Sequence, residues 1–333
     1  MENISFKALV TKEVEANKFE RSIETRQIND LPVGDVLIEV FFSALNYKDA
    51  LSARGHKGIS RNYPHTPGID ASGIVAESNS PDFLSGQKVL VTGYDLGMNT
   101  DGGFAEYIRV PASWVVPLPE NMSLREAMIW GTSGFTAAIS INELQRHDVT
   151  PDQGPILVTG ATGGVSTLAI GMLKKAGYTV VASTGKSDQK EMLIKLGADE
   201  VIDRADVDDH SERPLLRGRW AGVLDSVGGS TLSSVIRSTQ LHGAVCCFGN
   251  VTGDNLETSV YPFLLRGITL IGIDSAEKEM SYRLNIWKRI SEEWKFDNIN
   301  DYVKEVDLEG LSKEIDVMLE GGQVGKVIVN LKK

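Results

Sequence analysis

The apolar run Ile156-Leu157-Val158 leads into Thr159-Gly160-Ala161-Thr162-Gly163-Gly164 and then into Val165-Ser166-Thr167-Leu168-Ala169-Ile170. That order reads as a buried strand, a glycine-rich turn and the opening of a helix. Such a turn brings backbone N–H groups and a helix N-terminus to one point. In a Rossmann unit a dinucleotide pyrophosphate sits there, so the side chains around it have to be small. The helix is expected to run through Leu173 and to stop at Gly177. Tyr178–Ala182 then supplies a second strand, which completes a β-α-β unit of about thirty residues. Laid on G-x-G-x-x-G, the chain has Ala161, Gly163 and Ser166, so only the middle glycine is kept.

The end of that second strand bears on which dinucleotide fits. An NAD site places an acid there to hold the ribose 2′-hydroxyl. Here the residues are Ser183-Thr184-Gly185-Lys186, with no acid before Asp188, and Arg204 follows the short run Glu200-Val201-Ile202. Small hydroxyls and two cations suit a 2′-phosphate, so the expectation is NADPH over NADH. The competing reading is that Lys186 and Arg204 are ordinary solvated charges.

At 333 residues the chain exceeds the usual size of one core, and two domains are expected. A net charge of −11 argues against a nucleic-acid protein that works by phosphate neutralisation. The start of the chain, Met1–Lys7, has no signal-peptide core, and no apolar run approaches the roughly 20 residues of a membrane span. The two cysteines, Cys246 and Cys247, are adjacent in a strand-like run and read as buried thiols, not as a disulfide framework. Together these point to a cytoplasmic protein.

Residues from about 6 to 118 read as β-rich, with glycine and proline clusters between short strands, so a small irregular barrel is expected. Ser123 to Glu126 is a capping box, and a helix follows it. Apolar runs then alternate with helices at Ile156–Thr159, Val180–Ala182, Val201–Ile202, Ala221–Asp225, Gly243–Gly249 and Ile268–Ile273, the pattern of a doubly wound parallel sheet. A strand-like segment closes the tail at Gly325–Asn330.

A barrel followed by such a sheet resembles the medium-chain dehydrogenase/reductase superfamily over the whole chain. The words that carry the resemblance are Ala44–Asp49, Pro67–Gly73, Asp101–Tyr107 and the Gly163-Gly164-Val165 turn. Asn46–Leu51 with Gly58–Pro64, Gly131–Ala138, Pro262–Gly267 and Gly272–Ser275 narrow it to the zinc-free, quinone oxidoreductase-like YhdH/YhfP branch, which includes acryloyl-CoA reductases. The resemblance implies an α/β protein with a GroES-like β-barrel catalytic domain over residues 1–125 and 276–333. It implies a Rossmann NADPH-binding domain over 126–275, with the cleft between the two.

No metal is expected. Zinc enzymes of the superfamily hold the ion with a cysteine where this chain has Asn46 and a histidine where it has Ile69, and isoleucine has no lone pair to give. Without a Lewis acid the substrate must accept hydride readily by itself, as conjugated carbonyls and quinones do. The branch thus implies NADPH-dependent reduction of an activated C=C bond, with acryloyl-CoA to propionyl-CoA as the leading reaction. Alternatives are a quinone or alkenal reductase and a nucleotide-binding protein without turnover.

By the same resemblance Thr162, Gly163, Gly164 and Val165 line the pyrophosphate, and Ser183, Thr184, Gly185, Lys186 and Arg204 surround the 2′-phosphate. Tyr47, Thr136, Asn250, Leu264, Ser275 and Lys326 lie toward the nicotinamide. Tyr47, Asn46 and Asp49 are the catalytic candidates. Tyr47 either donates the proton or packs on the nicotinamide while water acts as the acid. Asp49 either orients groups in the cleft or caps the helix beginning there. Arg54, His56, Lys57 and Arg61 form a basic cluster in an otherwise acidic chain, and Arg54 and Arg61 are candidates for the phosphates of CoA. The apolar run Gly267–Ile273 reads as the last strand of the sheet, whose bare edge would pair with a second copy in a homodimer.

Overall fold

The computed structural model describes residues 4–333; Met1, Glu2 and Asn3, the start of the segment read for a targeting signal, lie outside the described residues. The chain divides into two compact units. One runs up to Thr132 and takes in Ala276–Lys288 and Tyr302–Lys333; the other comprises Ser133–Ser275 with Arg289–Asp301. The division expected at 125/126 thus falls after Thr132. Residues 289–301, expected with the first unit, pack with the second. Side-chain contacts explain that: Arg289 donates to Asn142 Oδ1 at 2.6 Å and Gln145 Oε1 at 2.8 Å, and the Phe296 ring occupies the space over Gly171.

In the first unit, β1 (Ser5–Glu15) and β2 (Lys18–Gln27) form an antiparallel hairpin. Five further strands follow: β3 (Val36–Leu45), β4 (Asp70–Ser78), β5 (Lys88–Thr92), β6 (Tyr107–Val110) and β7 (Val116–Pro117). The tail adds β14 (Val303–Val306) and β15 (Lys326–Asn330) to give a seven-stranded sheet in the order β14-β15-β3-β4-β5-β7, with β6 also on β3. β3 is the organising strand. It pairs β6 along its first half, β15 along its second and β4 along most of its length. Irregularities at Leu37/Ile38 and Val40/Phe42 bend it enough to serve all three, as bulges do. Its residues are mostly buried, and the core gathers Val36, Ile38 and Val40 with Val89, Phe104 and Val327.

Two of the sequence words lock together here. Gly103 N–H donates to the Gly68 carbonyl at 2.7 Å and Phe104 N–H to that of Pro67 at 3.1 Å. A side chain on Gly103 would lie 2.1 Å from the Asp70 carbonyl oxygen. The short helix α1 (Tyr47–Ala53) follows β3, and α8 (Leu308–Leu319) packs against it. Arg283, in α7 (Met280–Arg289), is fully buried and was not foreseen. Its guanidinium donates to the Thr92 carbonyl and Oγ1 and to the Ala276 carbonyl, each at 2.9 Å, and lies 4.4 Å from the Tyr94 ring.

The second unit holds β8 (Ile156–Val158), β9 (Val180–Thr184), β10 (Glu200–Asp203), β11 (Trp220–Asp225), β12 (Thr239–Cys247) and β13 (Thr269–Gly272). They form one parallel sheet in the order β10-β9-β8-β11-β12-β13. Counted from β8 this is 3-2-1-4-5-6, the Rossmann order, with the switch point between β8 and β11. The helices are α2 (Leu124–Arg146, shared with the first unit), α3 (Gly164–Lys175), α4 (Lys190–Leu196), α5 (Gly229–Ser238) and α6 (Tyr261–Arg266). β8, β9 and β11 are buried along their whole length, as parallel strands covered on both faces must be. The expected capping box opens α2: Ser123 N–H donates to Glu126 Oε2 at 2.9 Å, and Glu126 N–H to Ser123 Oγ at 3.2 Å. Cys246, in β12, is a buried free thiol; Cys247 beside it is half-buried. No helix of the described residues is long and apolar enough to cross a membrane.

Candidate functional site

The second unit presents a nucleotide cradle at the carboxyl end of β8. Gly160 takes a left-handed φ of 55°, and a Cβ there would lie 2.4 Å from Ser226 Oγ. The turn closes by Gly163 N–H donating to the Gly160 carbonyl at 2.9 Å, and α3 starts at Gly164. Thr162 is nearly buried, while Gly163, Gly164 and Val165 are partly open. A Cβ on Gly163 would meet only the Gly160 carbonyl oxygen, at 3.3 Å, so the space over this glycine is otherwise clear. A bare glycine at the N-terminus of a twelve-residue helix fits a pyrophosphate.

The register of the sheet assembles the other end. Thr184 pairs with Asp203, so Arg204 emerges level with Gly185. A Cβ on Gly185 would be 2.8 Å from Arg204 Nε and 3.0 Å from Cζ, so the guanidinium takes the space a side chain would need. Thr184 Oγ1 accepts the Lys186 N–H at 3.0 Å. Burial holds the Lys186 ammonium below its ordinary pKa, against a raising pull from Asp188. Ser183 is buried inside β9. The same unit contains Thr136 (buried in α2), Asn250 (exposed beyond β12), Leu264 (73 % exposed on α6) and Ser275 (half-buried after β13).

The first unit contains a different kind of site. Asn46, Asp49, Asp70 and Lys326 are buried together. Lys326 Nζ donates to Asn46 Oδ1 at 2.9 Å, and Asn46 Nδ2 donates to Asp70 Oδ2 at 2.8 Å and to Asp49 Oδ2 at 3.2 Å. Asp49 also accepts Asn46 N–H and Ile69 N–H, each at 2.8 Å. Asp70 accepts Thr132 N–H at 3.0 Å and Thr132 Oγ1 at 2.6 Å. That second anchor sits where α2 restarts after the non-helical Gly131, so the carboxylate faces fresh helical N–H groups.

These contacts place two of the candidate residues inside the unit. Asp49, a catalytic candidate, is wholly enclosed and closes the first turn of α1, where it holds the N–H groups of Asn46 and Ile69. Lys326, placed with the cofactor residues, is 2 % exposed and bonded to Asn46. The residues do not fit zinc. Ile69 offers no donor, the amide of Asn46 is already engaged, and an ammonium stands beside it. Among the described residues no group of three or more His, Cys, Asp or Glu gathers as a metal cluster would. Tyr47, the first residue of α1, is 52 % exposed. Arg54 and Arg61 are exposed on the loop after α1. Lys57 is tied to Glu13 Oε2 at 2.8 Å and lies over the Phe19 and Tyr63 rings, which takes it out of the basic cluster.

Burial, reinforced by the neighbouring Asp70 carboxylate, pushes the Asp49 pKa up to about 7 from 3.8, against the pull of its N–H donors. A carboxyl raised on folding contributes stability that is full at low pH and is lost as pH rises through the folded value. The stability gap between wild type and Asp49→Asn should therefore narrow from about pH 4 to about pH 7 in urea titrations and level off above. A gap that stays constant or widens would place the proton elsewhere.

Two family models match: the alcohol dehydrogenase GroES-like domain over residues 32–120 and the zinc-binding dehydrogenase domain over 164–292. YhfP from Bacillus subtilis, a quinone oxidoreductase by name, is 45% identical over 93% of this chain and 94% of its own; its crystal structure with NAD bound gives a TM-score of 0.95 over 98% of this chain and all of that one, at 43% identity. The acrylyl-CoA reductase AcuI from Ruegeria pomeroyi is 39% identical over 98% of this chain and 99% of its own. The yhdH oxidoreductase from Salmonella enterica, in complex with NADP, gives a TM-score of 0.95 at 36% identity, over 98% of this chain and all of that one. With these matches running through both units, the chain belongs to the medium-chain dehydrogenase/reductase superfamily, in the branch that holds YhfP, YhdH and AcuI.

Proposed function

We propose that this protein reduces the C=C bond of an enoyl thioester, acryloyl-CoA to propionyl-CoA. It is an NADPH-dependent oxidoreductase. The observation that carries the substrate reading is the buried ammonium of Lys326 beside Asn46, in the motif where zinc relatives hold their Lewis acid. With nothing there to polarise an isolated carbonyl, the substrate has to be one whose conjugation takes up the charge. When bound, NADPH supplies a hydride to the β-carbon. The π electrons move to the thioester oxygen as an enolate, and a proton then reaches the α-carbon. Tyr47 is the residue proposed to give that proton, since its phenol stands half exposed on the first turn of α1, and Asn46, Asp49 and Lys326 hold that turn in place.

Arg204 against Gly185, with no acid at the end of β9, supports the choice of NADPH over NADH. Replacing Arg204 by Ala should raise KM for NADPH about tenfold and leave KM for NADH nearly unchanged in steady-state assays, the loss of roughly one charge-assisted phosphate contact. Equal effects on both would remove the arginine from the 2′-phosphate.

A quinone or alkenal reductase is the second reading, favoured by the name of the 45% relative. The two part at Arg54 and Arg61, which a CoA phosphate needs and a small quinone does not. Truncating both to Ala should raise KM for acryloyl-CoA about tenfold, with KM for a small quinone unchanged. Turnover with the quinone alone, or no effect on the thioester, would promote the second reading. Steady NADPH oxidation within roughly 1–10³ per second also excludes a protein that only binds the nucleotide.

Among the described residues β13 pairs only with β12, which leaves the other edge of an apolar strand bare. A homodimer that covers this edge is proposed, in a cytoplasmic protein with free thiols. Sedimentation should give twice the monomer mass; a clean monomer at micromolar concentration would overturn it.

A further inference from the structure

Asp225 closes β11 one strand away from the glycine turn, and it is completely buried. Its Oδ1 accepts Thr159 Oγ1–H at 2.7 Å, and its Oδ2 accepts Gly228 N–H at 2.8 Å. Thr159 is the residue between β8 and Gly160. Its Oγ1 in turn accepts Ser226 N–H at 3.1 Å, and its carbonyl accepts Ser226 Oγ–H at 3.0 Å and Ser166 Oγ–H at 2.9 Å. One buried carboxylate and one buried threonine thus join the turn after β8, the turn after β11 and the first helical turn of α3.

The third neighbouring strand is drawn in by close backbone contact. A Cβ on Gly249 would lie 2.2 Å from the Ser226 carbonyl oxygen, and one on Gly228 would lie 2.6 Å from that of Gly253. Thr252 N–H donates to the Val227 carbonyl at 2.9 Å, and Phe248 N–H to that of Asp225 at 3.0 Å. Three loops at the carboxyl ends of β8, β11 and β12 therefore share one anchor. The cradle on Gly163 has little side chain of its own to hold its shape, so its geometry has to be imposed from behind.

We infer that Asp225, acting through Thr159, is a positioning residue for pyrophosphate binding: it fixes the glycine turn in the shape that receives the nucleotide without touching it. The inference rests on the reading of this turn as the NADPH site. The hydroxyl–carboxylate contact is shut away from water, where a charge-assisted hydrogen bond is strong and an orphaned partner is costly. Burial pushes the Asp225 carboxyl up while the Thr159 hydroxyl and two backbone N–H groups pull it down, so all the donors converge on its acceptor oxygens.

The test uses full-length protein and NADPH itself, with Kd by equilibrium fluorescence, KM and kcat by steady-state assay and Tm without nucleotide. Asp225→Asn and Thr159→Val each should raise Kd and KM for NADPH about tenfold and move kcat less than threefold. The double variant should match the worse single one, because both weaken the same hydroxyl–carboxylate contact. Thr159→Ser keeps the hydroxyl and should restore binding to within twofold of wild type. If Asp225→Asn does not fold, Thr159→Val against Thr159→Ser decides the matter alone. Variants that lose Tm but bind NADPH as wild type does, or that lose kcat at unchanged Kd, would overturn the inference and leave the cofactor assignment standing. A wild-type protein that binds no NADPH would overturn both.

Discussion

A lysine ammonium and two carboxylates lie buried in the first unit, with an asparagine amide joining the lysine to both acids. Ions out of water are costly unless they are paired and every remaining donor and acceptor is met. That condition determines much of the local structure. It is met by the N–H groups of Asn46 and Ile69 on Asp49 and by Thr132 on Asp70. The first turn of α1, the strand entry at Asp70, the break in α2 at Gly131 and the tail strand β15 are all held to positions that satisfy it. Lys326 is itself held above the value burial alone would give by Asp70 and Asp49, the same two groups it neutralises.

In zinc relatives a metal would supply the positive charge at this motif. Here an ammonium on the returning tail does so, and it is spent on internal neutralisation. A point charge bonded to an amide holds geometry but does not withdraw electrons from a carbonyl. That is the ground for the proposed addition to a bond already polarised by conjugation. The basic residues divide by the same logic: Lys57 is committed to Glu13 and two aromatic rings, and Arg54 and Arg61 remain exposed on the loop that follows α1.

The second unit solves the opposite problem. The proposed pyrophosphate cradle is nearly bare, and the groups that can hold its shape are set behind it. Gly160 leaves room for Ser226, Gly249 leaves room for the Ser226 carbonyl, and the Thr159–Asp225 contact ties the turns together. Parallel strands buried on both faces deliver these loop ends side by side at the switch point of the sheet.

Local patterns were enough to read the β-α-β unit, the capping box at Ser123 and Glu126 and the alternation of the second unit, because hydrophobic period and turn chemistry act over a few residues. The pairing of Arg204 with Gly185 was also within reach, since consecutive parallel strands end at the same edge. What local reasoning missed has large sequence separation. Asp225 read as the end of an apolar run, and its partner Thr159 lies 66 residues earlier. Arg283 carried no local signal and is buried against Thr92, 191 residues away. The contact of Lys326 with Asn46 spans 280 residues. The sequence by itself determined the order of the elements, the glycine turn and the absence of an acid at the end of β9. Only the tertiary structure decided which charges are buried and what neutralises them, because the cost of removing an ion from water depends on every group packed around it.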